Sequence, residues 1–361
     1  MLAIPERIHA PLRRALAGEA GPWPELTDGE ARALVEHGVA PLVYSIVQAP
    51  RLRDEAIHAA AVEPMRLDDL RTVLDAIAAR GVVALLLKGT PLAYEIYAAP
   101  ELRPRGDTDL LITRDSLDAV RETMLARGFA ERLTSGDEHG VRQVTFTRRD
   151  GFGVEHAYDV HWDVTNTPLF AETLRYDELH ARAVAVPAIA AHALALSPVD
   201  ALMLACIHRV AHHHDSDRLI WLYDIALLRE RMPRAEHERF WRLAAARRVA
   251  GVCMRSIELA DEWCGRAAHD GADQWLSREE IERDEPSRVY LDRDITYGRV
   301  ILADLGALPW RARLQRLWQL AVPPADFMQE SFRSRSRLAL PWLYIYRGAR
   351  GIRRLFRRAG A

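Results

Sequence analysis

The chain has 361 residues, 49 % of them apolar and 28 % charged, with a formal net charge of −2 and a mean hydropathy of −0.16. That is enough for one large domain or two modest ones, and the balanced charge gives the whole molecule no general attraction for nucleic acid. No apolar run approaches the roughly 18 residues of a membrane span, the first 20 residues lack the segments of a secretory leader, and Cys206, Cys253 and Cys264 form no metal spacing and leave an odd thiol, which suits a reducing cytoplasm.

In chain order, helices are expected at Pro5–Ala17 and at Thr27–His37, where Thr27 and Glu30 make a capping-box start. Pro22, Pro24, Pro41 and Pro50 punctuate this region. Glu63–Arg80 puts Met65, Leu67, Leu70, Val73, Leu74 and Ile77 on one helical side and stops at Gly81. Val82–Leu87 then reads as a buried strand, and Pro91–Tyr97 as a short helix after the Lys88-Gly89-Thr90 turn. Asp107–Ile112 is the next strand and Asp115–Arg127 a helix closed by Gly128. Val141–Thr147 and Phe152–Trp162 alternate as strands around an Arg148-Arg149-Asp150-Gly151 hairpin turn. Val184–Ile189 reads as a short strand outside that sheet. From Pro198 onward the pattern is helical: Pro198–Ala211 and Arg218–Glu230 are strong, and Glu236–Trp263 is one long helix or two shorter ones. Gln274–Glu282 and Trp310–Leu320 are weaker, and Arg288–Leu305 is ambiguous.

The expected fold class is α+β, a small mixed sheet with flanking helices and a mostly helical C-terminal region. The expected division is an N-terminal helical segment 1–64, a core 65–190, a helical region 191–330 closing the cleft, and a basic tail 331–361. The tail holds nine arginines and no acid, so it carries +9 against −11 for residues 1–330. Trp342 and Tyr344 are expected to pack back on the acidic body with the arginines solvated; contact with anionic lipid or RNA is the alternative.

The stretch from Leu85 to Leu111 organises the chemistry. Asp107 and Asp109, spaced i, i+2 at the head of an apolar run, share one strand face. Two unpaired charges are too costly for a core face, and a like-charged pair this close needs a counter-charge such as Mg²⁺, which prefers carboxylate oxygens. Asp159 adds a third carboxylate on a later strand, so the three can hold one or two Mg²⁺ ions at a phosphoryl-transfer site. Lys88 is the only lysine among 49 basic residues, a compact movable charge suited to phosphate. Thr90 offers a hydroxyl, and the helix that follows offers free amides. Arg103 is the better candidate for a phosphate contact, with Arg105 read as a solvated arginine. His161, two residues after Asp159, orients that carboxylate, contacts the acceptor, or packs.

His208, His212, His213, His214, Asp215 and Asp217 form a second cluster. His208 and His212 are i, i+4, a zinc spacing, but HExxH is absent and no third ligand is obvious, so their helix is read as lining the acceptor side of a cleft. Asp224, inside an apolar run, is expected to accept a bond from a His or Arg of the preceding helix, and Trp221, Leu222, Ile225 and Leu228 to be core.

KGTPLAYEIY…LRPRGDTDLLI followed by YDVHWDV resembles the polymerase-beta-type nucleotidyltransferase superfamily, and within it the bacterial family of uncharacterised nucleotidyltransferases. The resemblance covers roughly residues 65–165 and, more loosely, reaches about 230. It implies a minimal nucleotidyltransferase sheet, with Gly89 in the place of the turn glycine, Asp107 and Asp109 as the metal pair, and Asp159 as the carboxylate that helps activate an acceptor hydroxyl. Lys88, Arg103, Gly106, Leu110, His161 and Trp162 match the narrower signature. One departure is Thr90, which stands where the superfamily has a second small residue. The implied reaction moves a nucleoside monophosphate from an NTP to a hydroxyl or phosphate acceptor, with NTP as co-substrate and two Mg²⁺ ions; Lys88, Gly89, Thr90, Arg103 and His161 are the candidate nucleotide-binding residues. The acceptor stays open among small molecule, sugar, peptide and protein. A metal-dependent phosphotransferase, hydrolase or sugar-to-phosphate transferase on a peptide, and a non-catalytic nucleotide-binding or toxin–antitoxin partner, are the rival readings. Without its cation the carboxylate cluster is expected to be frustrated, so Asp109→Asn is expected to stabilise the metal-free chain slightly.

Overall fold

The computed structural model describes residues 1–19, 21–132, 142–213, 215–265, 271–323, 325–332 and 336–356. In chain order the elements are α1 (Glu6–Leu16), α2 (Asp28–Glu36), α3 (Ala40–Val47), α4 (Arg53–Ala78), β1 (Leu85–Leu87), α5 (Gly89–Glu95), β2 (Thr108–Leu111), α6 (Leu117–Ala126), β3 (Ala130–Arg132), β4 (Gln143–Arg149) and β5 (Glu155–His161). They continue as α7 (Tyr176–Ala181), β6 (Val184–Ala185), β7 (Leu194–Ala195), α8 (Pro198–Ala211), α9 (Leu219–Arg231), α10 (Arg234–Ala246), α11 (Ala250–Cys264), α12 (Arg278–Glu282), α13 (Tyr297–Ala307), α14 (Trp310–Ala321), α15 (Ala325–Ser331) and α16 (Leu340–Leu355). The fold is α+β, as expected.

Local chemistry explains most boundaries. The Thr27 hydroxyl accepts from the Glu30 amide while the Glu30 carboxylate accepts from the Thr27 amide, the expected capping box. Gly81 and Gly128, at φ +71° and +80°, supply the left-handed turns after α4 and α6. Glu236–Trp263 is two helices, broken at Arg247–Val249, where Arg248 has φ +56°. α4 begins ten residues before its expected start at Glu63, because Pro64 removes one amide donor without ending the helix. Val141, the expected first residue of β4, lies outside the described residues.

Seven strands form one sheet in the order β3-β4-β5-β2-β1-β7-β6. β2–β5 and β1–β7 are parallel and the other pairs antiparallel. Two features were not anticipated. β3 is a short edge strand, and β6 belongs to this sheet through β7 instead of standing outside it, because Val184 pairs with Ala195, which in turn pairs with Leu86.

The pleat sorts the strand residues between two cores. Leu86, Leu110, Tyr158 and Val160 pack with Leu70, Val73 and Leu74 of α4 and Val120 and Met124 of α6. Leu85, Leu87 and Leu111 point the other way, into a core shared with α1, α3, α8, α9 and α11. Asp109, two residues before Leu111, therefore faces the helical layer. Cys206, Cys253 and Cys264 are buried and unpaired, as expected. No described helix is long and apolar enough to cross a membrane.

The tail only partly follows its expected packing. Tyr344 is half-buried and its hydroxyl donates to the Pro323 carbonyl at 2.6 Å, but Trp342 is 75 % exposed. Arg357 and Arg358 lie outside the described residues.

Candidate active site

Registers bring the site together. Leu87 pairs with Asp109 across antiparallel β1–β2, so the next residue, Lys88, ends beside that carboxylate. Asp109 pairs with Asp159 across parallel β2–β5, setting the two carboxylates side by side. The same face carries His161 one pleat further along β5. Asp107 precedes β2 instead of opening it and is exposed at the mouth of the site.

Asp109 is 6 % exposed. The expectation of an open strand face therefore fails for this carboxylate, which is buried because it is neutralised. Lys88 Nζ donates to Asp109 Oδ1 at 2.5 Å, and His161 Nε2 lies 2.8 Å from the same oxygen. Burial alone would raise the carboxyl pKa, but the Lys88 charge and the His161 bond outweigh it and hold Asp109 well below the usual carboxylate range. His161 thus orients Asp109, where the sequence suggested Asp159. Asp159 is oriented by residues that sequence reasoning missed: Thr145 donates to Oδ1 at 2.6 Å and Gln143 Nε2 to Oδ2 at 3.2 Å. Thr145 lies opposite Asp159 in β4–β5, a register not readable from alternation alone. Asp107 is pushed up by desolvation and further by the charges of Asp109 and Asp159.

Lys88 has φ +56° and ψ −132°, a backbone conformation that costs a non-glycine residue on the order of 1–3 kcal/mol. Its bond to Asp109 offsets that strain. At Gly89 a Cβ would meet the Arg103 guanidinium at 3.0 Å, so this position favours glycine. Thr90 is buried with its hydroxyl 3.4 Å from that of Thr108, and does not line the cavity described below.

The two loop arginines are both buried. Arg103 is bidentate on Asp224, with Nε 2.9 Å from Oδ1 and Nη2 2.7 Å from Oδ2, while the Tyr97 hydroxyl donates to Asp224 Oδ1 at 2.7 Å. Asp224 is thus held by the loop before β2 and not by the preceding helix. Arg105 is not a solvated arginine. Its Nη1 donates to Glu63 at 2.6 Å, and the Tyr94 hydroxyl donates to Glu63 at 2.5 Å, an anchor that sequence spacing could not reveal.

A cavity of about 330 Å³ opens in front of these groups. Lys88, Gly89, Asp107, Asp109 and Asp159 line its sheet side; His208, His212, His213, Arg218 and Trp221, from α8 and the start of α9, line its roof. The histidine helix therefore lies over the cleft as expected. Trp221 lines the cavity, whereas Leu222, Ile225 and Leu228 are core as read. Burial, with Lys88 nearby, holds His212 at about 3 and His208 well below its ordinary value, so both rings are neutral at pH 7. Thr165 Oγ1 lies 2.9 Å from His212 Nε2. Asp215 and Asp217 turn away to arginines: Asp215 to Arg209 at 2.6 Å and Arg293 at 2.9 Å, and Asp217 to Arg293. His214 lies outside the described residues. Glu95 also lines the cavity, its carboxyl pushed up to about 7 by burial.

Among the described residues, Asp109, Asp159 and His161 form a group whose ligand atoms all lie within 4.8 Å of one another. Two carboxylates and an imidazole fit a hard divalent cation, and an ion there would take over the charge that Lys88 now supplies. Asp107 is adjacent but outside that group. The profile of a family described as uncharacterised nucleotidyltransferase matches residues 28–265, which include every element of the sheet and the α8–α9 roof. No curated protein matches the chain.

Proposed function

Because the chain belongs to the uncharacterised nucleotidyltransferase family, we propose that it moves a nucleoside monophosphate from an NTP to an acceptor hydroxyl or phosphate. The observation that carries this reading is the side-by-side pair Asp109 and Asp159 across β2–β5, facing a cavity with Lys88 between sheet and roof. The acceptor oxygen attacks the α-phosphorus, the bond to the bridging oxygen breaks, and pyrophosphate leaves while the acceptor proton passes to a base. Mg²⁺, when bound, shields the triphosphate and polarises the reacting phosphoryl group. Asp109 and Asp159 would hold it, with Asp107 at the mouth and His161 fixing Asp109. Asp159, locked by Thr145 and Gln143, is the group placed to activate the acceptor. Lys88 turns from Asp109 to the triphosphate, which passes the Gly89 backbone at the cavity wall. Arg103 serves by bracing the loop that carries Asp107, through Asp224. The three buried thiols agree with a cytoplasmic setting.

The test is to incubate the full chain with each α-labelled NTP, Mg²⁺ and a metabolite and peptide extract, following label and pyrophosphate. Label transfer with equimolar pyrophosphate, lost in Asp159→Asn, is the expected result. Phosphate release without label transfer would point to a hydrolase or phosphotransferase, and Mg²⁺–NTP binding without turnover to a binding protein.

A further inference from the structure

Three arginines line the cavity, and two of them are committed, Arg103 to Asp224 and Arg105 to Glu63. Arg218 is not. Its side chain makes no hydrogen bond or ion pair with the described residues, and its Nε is buried without a partner. Its guanidinium lies over the Trp221 ring, 4.9 Å from the centroid, so its position is already ordered. Burial, followed by the charge of Arg103, lowers its pKa against the opposing charges of Asp107 and Asp224, neither of which forms an ion pair with it, so an anion seated at the guanidinium would relieve the cation. On the same roof, His208 Nδ1 is buried and unpartnered, and its ring stands 5.5 Å from that of Trp221. A half-buried cation without an ion-pair partner is costly to keep, and so is an orphaned ring nitrogen. Both open on one cavity, across from the carboxylates.

We propose that Arg218, backed by Trp221 and flanked by His208, is an anion subsite for the second substrate, so that the acceptor carries a phosphate or carboxylate group. The word acceptor rests on the nucleotidyl-transfer reading, in which the donor triphosphate belongs to Lys88 on the sheet side; the anion subsite itself does not. Arg suits this role because its planar fork meets an oxyanion through two parallel N–H bonds.

The test uses the full chain without metal or nucleotide, with inorganic phosphate and acetate as probes followed by NMR line broadening. Arg218→Gln should weaken binding of the preferred anion at least tenfold, and Arg218→Lys less, since it keeps the charge and loses the fork. Phosphate or acetate, whichever responds to Arg218, names the group. Mg²⁺–NTP binding should stay within twofold in both variants, with cooperative melts. Equal broadening in wild type and Arg218→Gln, or none in wild type, would overturn the subsite. A matching loss of Mg²⁺–NTP binding would move Arg218 to the donor and overturn the acceptor assignment. Because the anion arm needs no nucleotide, its failure is distinct from failure of nucleotidyl transfer.

A separate observation concerns the C-terminal helices. On α14, Trp310, Leu314, Leu317 and Trp318 fall on one face at i, i+4, i+7 and i+8, and all are exposed, the two tryptophans at 65 % and 67 %. On α16, Trp342, Ile345 and Tyr346 form a second exposed face. Residues 310–361 hold twelve arginines against two acids. Exposed aromatic and aliphatic faces on arginine-rich helices are the signature of elements lying in a membrane interface. A second copy would bring the same positive charge against itself, and nucleic acid would leave the leucines and isoleucine uncovered. We infer that α14 and α16 dock on an anionic bilayer surface. Co-sedimentation with vesicles of phosphatidylcholine containing 30 % phosphatidylserine should exceed that with pure phosphatidylcholine at least fivefold. The triple variant Trp310→Ser, Trp318→Ser, Trp342→Ser should abolish it. Equal partition to both vesicles, binding unchanged in the variant, or a stable dimer that covers these faces would overturn the inference.

Discussion

Asp109→Asn separates two accounts of the site by sign. If the three carboxylates repel one another in the absence of metal, removing one charge stabilises the chain. The structure gives the opposite expectation. The Lys88 and Asp109 side chains are only 17 % and 8 % exposed, 2.5 Å apart, and Asp109 also binds His161. Breaking a buried pair by removing one partner costs about 3–5 kcal/mol. Asparagine keeps one acceptor oxygen for Lys88, and Asp159 and Asp107 remain nearby, so a loss of about 2 kcal/mol is expected. At roughly 2–4 °C per kcal/mol for a domain of this size, that lowers Tm by about 4–8 °C. The pH dependence carries its own sign. The folded pKa of Asp109 lies below its ordinary 3.8, so its contribution is complete above that pH and is lost as pH falls through the folded value. The gap between wild type and variant should be full at pH 7 and narrow below about pH 4. The assay is a urea or thermal melt in EDTA across pH 3–8. A variant as stable as wild type at pH 7, or more stable, would refute the paired-carboxylate account.

Lys88→Arg keeps a cation but not its reach, so Mg²⁺–NTP affinity measured calorimetrically should fall, while turnover falls less than in Asp109→Asn. Asp224→Ala strands the buried Arg103 and should destabilise by about 3–5 kcal/mol in urea melts, with Tyr97→Phe costing about 1 kcal/mol. Glu95, with its pKa raised to about 7, contributes stability fully below its ordinary 4.5 and loses it as pH rises through 7. Glu95→Gln should therefore be more stable than wild type at pH 8, by about 1–2 kcal/mol after allowing for partial exposure, and the advantage should vanish below its ordinary 4.5.

Much of this molecule was legible in its residues alone. Alternation in Leu85–Leu87 and Asp109–Leu111, the glycines after α4 and α6, and the Thr27–Glu30 cap are set by backbone geometry within one element. So is the placement of Asp109 with Leu111, and of Asp159 with His161, on common strand faces. The Asp-Thr-Asp pattern with its later Asp159, and the single lysine before a glycine, mark residues that line one cavity. What tertiary structure decided was which charge meets which. Lys88 reaches Asp109 because Leu87 pairs with that residue, and Asp159 stands beside it through a parallel register. Arg103, read as a phosphate candidate, is bonded to Asp224, 121 residues away, a partner that no local spacing announces. Arg105 left solvent for Glu63, and Trp221 packs against the core while also forming the cavity wall. The physical reason is the same in each case. Spacing along a strand or helix is local, but neutralising a buried charge requires a partner delivered by chain closure. The choice among partners of one sign depends on register and packing, to which composition and periodicity are blind.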